Sequence, residues 1–143
     1  MDIAAIRAVL ETRLKTALDG TKGQTVAYGD GNPTPPSLVV LGQDESEYDT
    51  GGMGEGQDDL VLVIQAYAGA TSERAAHILI DKMLASSGPN SVKAAIETER
   101  PAPVTLGGLV SYARVTKHSG IQFYTLRNGT EVIGAQFTLE LSS

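Results

Sequence analysis

The chain has 143 residues, 41% hydrophobic and 20% charged, with a formal net charge of −6. That length suits one domain with one core, and the acidic balance argues against a dedicated DNA or RNA binder, which needs clustered Lys and Arg against phosphates. With no cysteine, disulfides, thiolate chemistry and Cys-type zinc sites are excluded. No apolar run approaches the roughly 18 residues of a membrane helix, and the first residues, Met1-Asp2-Ile3-Ala4-Ala5-Ile6-Arg7, lack the basic-then-apolar pattern of a signal peptide.

Residues 2–18 carry Ile3, Ile6, Val9 or Leu10, Leu14 and Leu18 at helical spacing, which predicts a first helix with one apolar stripe. Arg7, Glu11, Arg13 and Lys15 fall largely off that stripe, and Asp19-Gly20 ends the helix. A short extended piece over residues 24–28 follows. Residues 29–36 hold three prolines and two glycines, which forbids helix and central strand alike. Ser37-Leu38-Val39-Val40-Leu41 is the second strand. Residues 42–58 are the compositional outlier, with Asp44, Glu45, Glu47, Asp49, Glu55 and Asp58, five glycines and no Lys or Arg. Charge repulsion and glycine freedom predict a mobile, solvated loop there.

The most apolar segment comes next. Leu60-Val61-Leu62-Val63-Ile64 is short, rich in Val and Ile, and reads as a strand buried on both faces. A turn at Gly69-Ala70-Thr71 leads to helical spacing over residues 72–84, with Thr71 as cap candidate, Glu73 in the first turn and Gly88-Pro89 as the stop. Asn90 or Ser91 caps a short second helix reaching Glu97, and Pro101 and Pro103 end that region. A strand is expected over residues 106–116, entered through Gly107-Gly108. His118-Ser119-Gly120 turns it, and residues 121–126 return as a further strand. Asn128-Gly129 is a type I′ hairpin signal. Residues 131–141 alternate, Ile133, Ala135, Phe137, Leu139 and Leu141 on one face and Val132, Gly134, Gln136, Thr138 and Glu140 on the other, as in a half-buried antiparallel strand. The sum is a single α+β domain over residues 1–143: a mostly antiparallel sheet with an N-terminal and a central helix on one face and a three-stranded C-terminal β-meander.

Spacing supports no enzyme. Glu73, His77 and Asp81 lie at i, i+4 and i+8, a spacing that aligns side chains for metal binding or acid–base work. They fall mostly away from Ala76, Leu79, Ile80, Met83 and Leu84, so a solvated helix face accounts for them. An EF-hand started at Asp44 puts Glu55 at position twelve but Tyr48 and Asp49 where a ligand oxygen and a glycine are required. Only loose divalent-cation binding fits the acidic stretch. Gly52-Met53-Gly54-Glu55-Gly56 lacks the Lys-Ser or Lys-Thr of a phosphate loop, there is no Gly-x-Ser-x-Gly elbow, His118 reads as a turn residue, and the Asn128-Gly129-Thr130 sequon is explained by the hairpin.

The order of segments is familiar as a whole. It runs from a short amphipathic helix through a proline-broken loop to Ser37-Leu38-Val39-Val40-Leu41 and Asp59-Leu60-Val61-Leu62-Val63-Ile64. Thr71-Ser72-Glu73-Arg74-Ala75-Ala76 then opens a helix continued by Leu79-Ile80-Asp81-Lys82-Met83-Leu84, and Ser91-Val92-Lys93-Ala94-Ala95-Ile96 follows. Tyr112-Ala113-Arg114-Val115, Gln122-Phe123-Tyr124 and Ile133-Gly134-Ala135-Gln136-Phe137-Thr138-Leu139-Glu140-Leu141 close the chain. Over nearly its whole length it resembles the tail terminator proteins of long-tailed bacteriophages, especially those infecting actinobacteria. Head–tail connector and neck (head-completion) subunits are similar in size and composition. The resemblance implies a non-enzymatic virion protein, made in the host cytoplasm, with no catalytic residue, metal or cofactor. It implies a homo-hexameric ring that sits on the last ring of tail tube protein, ends tube growth and meets the head connector. The tape measure protein is a further candidate contact, and genome DNA passes through the lumen without specific binding. Sheet edges, expected at the short strands before Leu41 and at residues 131–141, or residues 19–36, are candidates for the subunit contact. The acidic residues 42–58 are candidates for the lumen or the tube-facing rim. A different class, a metal-dependent enzyme or small-ligand binder, would use Glu73, His77, Asp81 and the acidic stretch.

Overall fold

The computed structural model describes residues 2–28, 34–47, 58–127 and 129–143, with backbone only for 43–47. In chain order the elements are α1 (Ile3–Ala17), β1 (Gln24–Val26), β2 (Ser37–Glu47), β3 (Asp59–Ala70), α2 (Arg74–Leu84), α3 (Val92–Ile96), β4 (Tyr112–His118), β5 (Gln122–Thr125) and β6 (Glu131–Ser142). Among the described residues the strands form one six-stranded sheet in the order β1-β2-β3-β6-β4, with β5 also on β6. All pairs are antiparallel except β1 with β2. The fold is α+β, with the three helices on one face. No helix among the described residues is long and apolar enough to cross a membrane.

The core forms where the apolar stripe of α1 meets the inward face of the sheet. Ile6, Leu10, Leu14 and Leu18 join Leu38 and Val40 of β2, Leu60, Leu62 and Ile64 of β3, and the residues of β6 from Ile133 to Leu141 in steps of two. The alternation expected of β6 holds from Ala135 onward, whereas Val132 and Gly134, on the face expected to be open, are buried as well. Asp2 caps α1, its carboxylate accepting from the Ala5 amide. Ser91 caps α3 by accepting from Ala94. Asn90 instead donates to the carbonyls of Ala17 and Asp19, satisfying the far end of α1.

The structure corrects several sequence expectations. Over its apolar run β3 is fully buried on one face only, although Gln65, further along the other face, is buried too. Leu60, Leu62 and Ile64 are in the core, whereas Val61 and Val63 are half-exposed beside Glu140 and Thr138 of β6. Val and Ile suit a strand whichever face they take, so the run alone did not reveal the second face. β2 does not end at Leu41 but continues through the acidic stretch to Glu47, paired with residues 59–63. Bulges beyond Val40 and Gln43 absorb the change of register. The ladder to a strongly apolar partner outweighs the local preference for a loop. Residues 48–57, the rest of the predicted acidic loop, and residues 29–33 of the proline segment lie outside the described residues.

The C-terminal strands are not a meander. β4 and β5 run end to end along the same edge of β6, which β3 occupies on its other side. β6 is therefore interior, and its expected role as an edge is overturned. His118-Ser119-Gly120 is a jog in that edge rather than a reversal. The Ser119 amide donates to Gln136 O, and Gly120 supplies a positive φ of 76°. A bulge and a turn ask for the same residue types, so the sequence could not separate them. Likewise Leu106, Gly107 and Gly108 take positive φ and form a turn with Leu106 buried, so the strand begins only at Tyr112. α2 is entered through Glu73, without a side-chain cap, rather than through Thr71. The β5–β6 hairpin is present. Its turn bond runs from Gly129 N to Leu126 O, with Leu126 N donating to Thr130 O, which makes a three-residue loop closed by Gly129 at φ 84° in place of the expected two-residue turn. Asn128, and with it the sequon, lies outside the described residues.

Candidate functional site

The helix-face trio disperses chemically. His77 is half-buried, and its Nε2–H donates to Thr71 O at 2.8 Å, so the ring ties α2 to the turn before it. Glu73 is the exposed residue before the helix, and Asp81 is exposed a turn beyond His77. Among the described residues no three His, Cys, Asp or Glu side chains converge.

The buried charges are structural clamps. Arg7 was expected off the apolar stripe but is only 8% exposed. Its guanidinium donates to Ala27 O at 2.6 Å, Val40 O at 2.8 Å and Leu41 O at 3.1 Å, and stacks 4.6 Å from the centre of the Tyr28 ring. It ties α1 to both strands at that side of the sheet. Glu97 accepts from Lys93 at 2.6 Å and from Arg100. Burial pushes its carboxyl up, but the two cations outweigh that and hold it below the usual range. Glu99 accepts from Arg13 of α1 and from the amides of Thr105 and Gly107. Arg13 above all, with those amides, lowers its pKa to about 2 against the opposing effect of burial. Together these groups fix α1, α3 and the approach to β4.

The face of the sheet away from the helices mixes buried Val39, Gln65 and Val132 with partly open polar and aromatic residues. Gln136 donates to Gln65, which donates in turn to the carbonyls of Ala66 and Ala135. Tyr67 and Tyr124 meet edge-to-face at 5.6 Å, and burial, with Tyr124 second, raises the Tyr67 phenol. Gly134 lies between them because a Cβ there would overlap the Ala66 carbonyl and press on the Tyr124 ring.

The two sheet edges are the distinctive surfaces. Among the described residues β1 pairs only with β2, and β4 and β5 pair only with β6. β4 carries Arg114 and Lys117, charges of the kind that discourage strand addition. Gln122-Phe123-Tyr124-Thr125 of β5 and Gln24-Thr25-Val26 of β1 carry none. Phe123 is 66% exposed, and the adjoining Ile121 and, beyond β1, Tyr28 are 45% and 50% exposed. Alongside β1, an open cleft of about 520 Å³ lies between the C-terminal end of α1 and the strand, lined by Glu11, Lys15, Leu18, Gly23, Gln24 and Thr25 among others. Sequence reading missed this pairing of features. The available signal was an uncharged stretch, Gln122–Thr125, with Ile121 and Phe123 two positions apart.

No protein-family model and no curated protein matches the chain.

Proposed function

We propose that this chain is a structural subunit that closes into a ring at the end of a phage tail tube, ending tube growth and joining the tail to the head connector. The observation that carries the reading is a sheet that has, among the described residues, an uncharged strand with an unpaired outer edge on each side, β1 on one and β5 on the other, with large apolar side chains exposed beside both. A subunit with two different contact edges builds head-to-tail assemblies, which close into rings when the rotation allows. The segment order shared with tail terminators supports the particular role. Electron micrographs of immunogold-labelled particles test it: label at the junction of head and tail is expected, and label confined to the tail tip or the capsid would overturn the reading.

The acidic stretch has a place in this role. Six copies of residues 42–58 brought near one axis repel one another and repel DNA phosphates, so DNA slides through without sticking. Added salt or divalent cations then favour the ring. Neutralising Asp44, Glu45, Glu47, Asp49 and Glu55 to Asn or Gln is expected to flatten that dependence, and an unchanged dependence would remove the acidic residues from the lumen.

A further inference from the structure

We infer that neighbouring copies join by adding β5 of one to β1 of the next, with Phe123 entering the cleft beside α1. This rests on the ring reading and specifies its contact. The registers place Gln24, Ser37, Tyr67, Gly134 and Gln122 in one row across the sheet. The two free edges therefore end the same row on opposite sides. Strand direction also matches. β1 runs with β2 and against β3, and β5 runs with β3, so a neighbour set beside its copy without inversion presents an antiparallel partner.

The side chains agree with this placement. When Gln122 faces the next copy's Gln24, antiparallel counting sets Phe123 opposite Gly23. Phe123 shares the helix side of the sheet with its partner Ile133, which is the side on which the α1–β1 cleft opens. Gly23 lines that cleft with Leu18, Lys15 and Glu11. Thr25 points to the same side, where its hydroxyl donates to Glu11 O at 3.1 Å and anchors β1 against α1. The edge is thus held in place ahead of docking. β4, along the other half of the same edge, carries Arg114 and Lys117, which confine strand addition to the β5 half.

The absence of native cysteine makes a direct test available. Gln24 and Gln122 are both exposed and stand four strand spacings apart within one chain, roughly 19 Å, too far for an internal bridge. The full-length Gln24→Cys/Gln122→Cys double variant is expected to give a covalent ladder with oxidant or a short bis-maleimide. An equimolar mixture of the two single variants should give cross-linked dimers and nothing larger. Phe123→Ala should weaken assembly about tenfold or more while leaving the melting temperature of the isolated chain unchanged. Cross-linking of Gln122→Cys alone would mean that β5 pairs with itself, which overturns the inference. Rings in negative stain, with no ladder and no effect of Phe123→Ala, would overturn the contact and leave the ring standing. A chain that stays monomeric at millimolar concentration with no cross-link would overturn both.

Discussion

Replacing Glu99 by Gln tests whether one carboxylate holds α1 to the loop that feeds β4. The side chain accepts from Arg13, from the amides of Thr105 and Gly107 and from the Thr105 hydroxyl. Gln keeps the shape and one carbonyl oxygen but loses the charge. A fall in pKa from 4.5 to about 2 on folding corresponds, at about 1.4 kcal/mol per tenfold change in proton affinity, to at most about 3.5 kcal/mol. Glu99 is 23% exposed, and screening by water trims this to about 2 kcal/mol at pH 7. For a chain of this length that is a drop of about 6 °C in melting temperature. The sign follows from a folded-state pKa below the unfolded one. The contribution is complete above the unfolded value of 4.5 and is lost as pH falls through about 2. Urea unfolding of both proteins between pH 2 and pH 7 should show a wide gap at neutrality that narrows in acid. A gap that is constant with pH, or below about 0.5 kcal/mol at pH 7, would refute the clamp.

Gly134→Ala should destabilise the fold by about 3 kcal/mol through overpacking against the Ala66 carbonyl and the Tyr124 ring, and a melting temperature within about 2 °C of wild type would contradict that geometry. Arg7→Met keeps the apolar stem but strips three carbonyls of their donor; a loss of about 2–3 kcal/mol is expected, and an unaltered unfolding midpoint would show that water replaces the guanidinium without cost.

Much of the fold was legible because it is written in local periodicity. The apolar stripe of α1, the inward residues of β6 from Ile133 to Leu141, the Ser91 cap and the helical spacing of α2 each depend on residues a few positions apart, and each appears close to where the sequence put it. Composition alone removed thiol chemistry from consideration. What the tertiary structure decided is which groups meet across long stretches of chain. β2 continues through acidic residues because residues 59–63 offer a ladder, and Arg7 is buried because three carbonyls from residues 27, 40 and 41 converge on it. β4 and β5 form one broken edge because both find the same side of β6. The placing of the β1 and β5 edges at the two ends of one row belongs to this second kind: it exists only once the three strands between them have set the register, since hydrogen-bond ladders, unlike side-chain periodicity, are satisfied by partners that sequence distance does not specify.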